Sequence, residues 1–232
     1  LFLTEATGAA NASITLSAAD GKQAAAISGT VNGLTTQGIR IGAADIEAKV
    51  ADLFGIPQVQ GTLSGSKIVA GGVEVATLQA NADLEGHATK FSGQAALVNG
   101  TRLDVAGSLA PLDAGYRLAL DRVNLTQGQL SANLAQPAAL IVNGDTVTMD
   151  AIQFNVGSGR ITATGTAGNE LSIDLNINAL PLSVANAVAP DLALSGTLNG
   201  TARIGGTRSA PQATFTIAGQ GIDAAALRPV GI

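Results

Sequence analysis

Leu171-Ser172-Ile173-Asp174-Leu175-Asn176-Ile177-Asn178 carries an aliphatic residue at every odd position and a polar one at every even position. Successive side chains of a strand point to opposite sides of a sheet, so this stretch predicts a strand with one apolar and one wet face. A less regular version of the rhythm runs through Ile39-Arg40-Ile41, Leu103-Asp104-Val105, Tyr116 to Leu120, Leu130 to Leu134, Gln153 to Val156 and Thr214 to Ile217. Ala43 to Phe54 has near-helical spacing at Ile46, Val50 and Leu53, but the alternation Ile46-Glu47-Ala48-Lys49-Val50 favours a strand. Between these runs stand Asn32-Gly33, Gly71-Gly72, Asn99-Gly100, Asn143-Gly144-Asp145, Gly157-Ser158-Gly159 and Gly205-Gly206. Gly and Asn there supply the positive φ of hairpin turns, which predicts antiparallel neighbours. One short helix at most is expected, opened by Pro181, followed by Pro190 and containing Leu182, Val184, Ala185 and Val188.

Composition sharpens this all-β expectation. Hydrophobic residues make up 46% of the 232 and charged residues 12%, where an average soluble domain has roughly a quarter charged. Aromatics are 3%, with no Trp, one Tyr and five Phe, while Gly numbers 29. Small aliphatic strands separated by tight turns fit these figures. Net charge is −5 and the Lys and Arg residues are scattered, so there is no basic footprint for nucleic acid. The absence of Cys excludes disulfides and thiolate metal sites and is compatible with an oxidising compartment. No run approaches the roughly 18 apolar residues of a spanning helix. Leu1 to Glu5 has neither Met nor a charged leader, which reads as an internal fragment of a longer protein. With no linker or composition shift, residues 1–232 read as one continuous sheet-forming segment.

Chemistry is sparse. His87 is the only histidine and lies in a turn-like stretch, Glu85-Gly86-His87-Ala88. A histidine zinc site or a Ser-His-acid triad needs partners that the sequence lacks. Acids such as Asp104, Asp174 and Glu85 fall on the polar phase of their strands, where a solvated face explains them better than a paired-acid glycosidase cleft. No calcium loop or phosphate-cradling Gly motif occurs. No catalytic residue, cofactor site or metal site is expected.

A degenerate unit recurs at Ser28 to Gly33, Gln60 to Gly65, Gly107 to Leu109 and Ser195 to Gly200, with spacing too irregular for a strict solenoid. The apolar phase of the strands is carried by Leu103, Val105, Leu118, Leu120, Phe154, Val156, Leu171, Ile173, Leu175, Ile177, Phe215 and Ile217. These residues must be covered by a second sheet, by barrel closure or by a ligand in an open groove. The aromatic girdles of a membrane barrel are missing. A β-sandwich and a curled open sheet both remain, and an aliphatic lining without aromatics suits flexible hydrocarbon.

An ordered set of C-terminal pieces carries a family resemblance: Leu180-Pro181-Leu182, Ala189-Pro190-Asp191, Leu194-Ser195-Gly196-Thr197-Leu198-Asn199-Gly200, Gly206-Thr207, Ala210-Pro211-Gln212-Ala213-Thr214-Phe215 and Gly221-Ile222. Upstream, Gln136-Pro137-Ala138 and Asn143-Gly144-Asp145 add to it. The chain resembles the TamB family, the translocation and assembly module subunits, within the wider AsmA-like group. The match covers about residues 100–232. The resemblance implies an elongated, curled β-sheet, the β-taco, in a periplasmic protein anchored in the inner membrane. It further implies an Omp85-type outer-membrane partner, TamA, met through regions outside this segment, and support of outer-membrane biogenesis and protein secretion. The hydrophobic trough of such proteins is thought to conduct phospholipid acyl chains or to shelter outer-membrane strands. The twelve residues above would then line the trough. A secreted adhesin or autotransporter passenger, built as a β-helical stalk, is the competing expectation. A β-helical polysaccharide-acting enzyme is a third.

Overall fold

The computed structural model describes residues 6–19, 22–53, 57–187 and 192–224. The described part of the chain is all-β and antiparallel, as the alternation predicts, and packs as two compact units, residues 1–123 and 124–232. Leu1 to Glu5, Phe54, Val188 and Pro190, named above at chain and element ends, lie outside the described residues, as do Ala189 and Asp191 of the family resemblance.

In the first unit, β1 (Thr7–Ala19), β2 (Lys22–Thr36), β3 (Ile39–Ala51), β4 (Gln58–Ala70), β5 (Val73–Glu85), β6 (Ala88–Leu97), β7 (Arg102–Pro111) and β8 (Tyr116–Gln127) lie side by side in chain order. β8 ends in the second unit, where Asn124 to Gln127 pair with β9 (Leu130–Leu134). β9 and β10 (Ala138–Asn143) follow one another along β11 (Thr146–Val156). Then come β12 (Gly159–Ala167), β13 (Leu171–Pro181), a six-residue 3-10 helix at Leu182–Ala187, β14 (Ser195–Thr207) and β15 (Ala210–Asp223). The short helix thus begins just after Pro181, and Ala43 to Ala51 is strand.

Two of the expected turns are kinks inside strands. Gly33 has φ 65° but lies within β2, whose hairpin turns at Gln37-Gly38 instead. Gly206 has φ 84° within β14, and the turn falls at Arg208-Ser209. Positive φ allows a local bend without ending the strand. In the first unit such irregular positions lie opposite one another: Gly8, Gly33, Gly42, Lys67 (φ 52°) and Ala76 interrupt the regular pairing of β1 to β5. Each shifts the alternation by one residue and thereby keeps the same face apolar. Leu63 and Ile68 of β4, odd and even in number, pair with Ile46 and Ile41 of β3 and share that face.

Neither unit closes a core of the sandwich kind. Among the described residues only Ala25, Leu134, Ala138, Val156 and Ala224 are buried apolar side chains, and no large side chain is fully buried. Two packed sheets would bury their inner faces throughout. The sheet faces here stay half-covered, as in the curled open sheet.

Candidate functional site

Pairing register sorts the first unit into two chemically distinct faces. One rung across the strands is Ile46, Leu63, Ala80, Gly93 and Val105; the next is Ala48, Gly61, Ala82, Phe91 and Gly107. Neither rung holds a charge or a hydrogen-bonding side chain. The opposite face carries Asp45, Glu47 and Lys49 on β3, Gln60, Thr62 and Ser64 on β4, Gln79, Asn81 and Asp83 on β5, and Lys90, Ser92 and Gln94 on β6. Asp104 stands there too, ion-paired with Arg122 and accepting from Gln94 Nε2 at 3.1 Å. The Arg122 guanidinium holds the Asp104 carboxyl below the usual carboxylate range, against a smaller opposing effect of burial.

The apolar face is hollow at its centre. A concavity of about 310 Å³ spans β3 to β7, lined by Ile46, Leu63, Phe91 and Val105 around Gly61, Ala80, Ala82 and Gly93. Gly61 is required by close approach, because a Cβ there would overlap the Glu47 carbonyl and lie 2.6 Å from Ala48 Cα. The recurrent Gly-Thr-Leu unit therefore marks a place where a strand bends against its neighbour rather than a solenoid period. Gly107, in the partial copy on β7, meets the Ala119 carbonyl in the same way. At one end of the hollow the Val59 N–H donates to Thr89 Oγ1 at 3.0 Å, tying β4 to β6 beyond the last β4–β5 pair, Gly61 with Ala82. Thr89 is the buried polar side chain of this face.

In the second unit Phe154, Val156, Leu171, Ile173, Leu175, Ile177, Phe215 and Ile217 share one face by register. A shift between Met149 and Ile152 keeps Phe154 and Val156 on it, and a second falls just beyond it, between Ile177 and Leu180. At the second shift Ala179 has φ 46° and its N–H donates to Asn199 Oδ1 at 2.8 Å. The exposure is graded: Val156 is buried, the Leu171 to Ile177 row is half-buried, and Phe215 and Ile217 on β15 are 71% and 53% exposed. A second hollow, of about 470 Å³, is lined chiefly by the other phase, Thr162, Thr164, Asn176, Thr201, Thr214 and Thr216 with the Asp174–Arg203 ion pair at 2.8 Å, together with Leu175, Ala202 and Phe215.

The sequence-predicted residues of the first unit fall on β7 and β8. Leu103 and Val105 sit on the apolar face beside Gly93 and Ala95, and Leu118 and Leu120 are half-buried between the exposed Arg117 and Asp121. Sequence reasoning missed most of the hollow itself. Ile46, Leu63, Ala80, Ala82 and Phe91 line it, and on β1 Ile14 and Leu16 continue the face at 65% and 72% exposure. Ser13-Ile14-Thr15-Leu16-Ser17 is a regular alternation that signals this directly. His87 is exposed in the β5–β6 turn, and among the described residues no cluster of three metal-ligating side chains forms. No family model, curated protein or solved structure matches the chain.

Proposed function

We propose that the chain is a non-enzymatic segment of a TamB-like, AsmA-like envelope protein whose apolar sheet face conducts phospholipid acyl chains through the periplasm between the inner and outer membranes. The observation that carries this is the charge-free aliphatic face left half-covered in a structure that closes no core. Such a face gains roughly 0.8 kcal/mol for each methylene it removes from water, so hydrocarbon binds with no polar recognition. Head-group discrimination is then weak, and the polar phase of each strand keeps the outer surface wet. Sheltering an outer-membrane strand uses the same face. The Omp85-type partner, TamA in the resembled family, would act through regions outside this segment. An adhesin stalk would need strands stacked in coils of fixed length, whereas these strands run back and forth as antiparallel neighbours.

The test is photocrosslinking from Ile173 and, separately, from Asp174 in the protein in living cells, followed by mass spectrometry of the adducts. Lipid captured at Ile173 and not at Asp174 is the expected result. Crosslinks from Ile173 to the same chain alone would mean a closed core and would remove the proposal.

A further inference from the structure

We infer that the polar phase of the second unit holds a shallow track for a carboxylated glycan, with Arg160 taking a carboxylate and the amides and hydroxyls of two neighbouring rungs taking sugar hydroxyls. The track uses the opposite phase of the strands from the acyl-chain face and does not depend on that reading. Register builds the first rung from Asn133, Asn155, Arg160 and Asn178, each on the strand next to the last. The second rung is Thr162, Asn176, Thr201 and Thr216, on β12 to β15. Neither rung holds an acid or a purely apolar side chain. Asn155, Arg160 and Asn178 of the first rung share one depression with Thr162 and Asn176 of the second, and Ser158 of the β11–β12 turn joins them. A Cβ on Gly159 would lie 2.5 Å from the Ala179 carbonyl oxygen, so only glycine lets β12 begin this close to β13.

Arg160 distinguishes this track from the rest of the polar phase. Its Nε donates to Asn155 Oδ1 at 3.2 Å, which orients the guanidinium and leaves both Nη groups for a ligand. Among the described residues Arg160 has no carboxylate partner, whereas Arg203 in the adjoining threonine hollow is held by Asp174. The side chains of Ser158, Asn176 and Asn178 make no hydrogen bond to other described residues, so their donors and acceptors are open to a ligand. Chemistry then selects the occupant. A planar guanidinium pairs bidentately with a carboxylate, a charge-assisted contact that the ion-paired hollow cannot offer. Amides and hydroxyls both donate and accept, as sugar hydroxyls do, so the rungs suit a ligand dense in hydroxyls and sparse in charge. A nucleic acid would need a run of cations, and a protein partner a buried aromatic or aliphatic anchor. Neighbouring strands lie about 4.8 Å apart, so a glycan lying across them meets a fresh polar side chain at each strand.

The experiment is calorimetric titration of the whole protein at low ionic strength with three probes: tetragalacturonate, its fully methyl-esterified form, and a tetrasaccharide carrying its carboxylates on lactyl ethers. At least one acidic probe should bind saturably, and the preferred one tells whether the carboxylate belongs on the sugar ring or on an ether. The neutral ester should bind roughly ten- to a hundredfold more weakly than tetragalacturonate, and Arg160→Gln should weaken the preferred acidic probe by the same factor. Asn176→Ala should weaken that probe by about two- to tenfold. Arg208→Gln removes the same charge from the β14–β15 turn and should leave binding unchanged. Arg160 and Arg208 are both exposed, so both variants should keep the parent circular dichroism. Equal losses in the two arginine variants would reduce the effect to diffuse attraction and overturn the site. Equal binding of acid and ester would remove the role of Arg160, and no binding of either acidic probe overturns the track outright.

Discussion

Two hollows of this protein, one in each unit, differ in a way that their sizes conceal. The larger, about 470 Å³, lies in the second unit among threonines, Asn176 and the Asp174–Arg203 pair; the smaller, about 310 Å³, lies in the first unit among Ile46, Leu63, Phe91 and Val105. A twisted sheet makes depressions on both faces, so concavity alone does not identify a site. Hydroxyls and ion-paired side chains in the larger hollow are already well served by water, and a ligand there trades one set of hydrogen bonds for another. In the smaller hollow a hydrocarbon releases water from a surface that can offer it no hydrogen bond. The difference teaches that, on a two-faced sheet, alternation phase ranks candidate sites better than volume.

Charge is the harshest way to break that contrast. Leu63→Asp should reduce binding of a twelve-carbon alkylphosphocholine at least 100-fold in calorimetry, whereas Thr164→Asp in the polar hollow should leave it unchanged. Both variants should keep the parent circular dichroism, because Leu63 is half-covered and an introduced carboxylate can reach water. Unfolding of Leu63→Asp would instead show that the face is a closed core. Backbone fit comes next. Gly61→Val forces β4 away from Glu47 and Ala48 and should lower stability by about 1–3 kcal/mol in urea unfolding, with a shallower hollow as the consequence.

Thr89→Val sharpens the role of the tie at the end of the hollow. It leaves the Val59 N–H without its partner and should cost about 1–2 kcal/mol, while Thr62→Val on the polar phase should be nearly neutral. The smallest effect belongs to the polar face. Arg122 lowers the Asp104 pKa, so the pair's contribution is present above the unfolded-state value of about 3.9 and is lost as pH falls through the still lower folded value. Asp104→Asn should therefore abolish a small, salt-sensitive part of the stability at pH 7 and merge with the parent in strong acid, as thermal unfolding across pH would show.

Much of the molecule was legible because alternation is local. Leu171 to Asn178 announces both faces of β13 without reference to any other strand, and eight of the twelve expected lining residues do share a face in the second unit. The hollow of the first unit was not legible for two reasons. Its floor is made of Gly and Ala, which carry little hydropathy contrast, so Ala80-Asn81-Ala82 hardly reads as a two-faced strand. The phase also shifts within strands, at Gly33, Lys67 and Ala76, and a regular template loses the pattern where the protein keeps it. For the same reason Asn32-Gly33 and Gly205-Gly206 suggested turns: a glycine at positive φ bends a paired strand as readily as it reverses an unpaired one.

By itself the sequence determined that this protein is built of strands with one aliphatic and one polar side, because each residue's side follows from its neighbours along the chain. Only the tertiary structure decided which positions line up across β3 to β7, and so where small residues meet to leave a dry hollow. That alignment depends on hydrogen-bond register between strands and on the bulges that reset it, and neither is encoded at any single position.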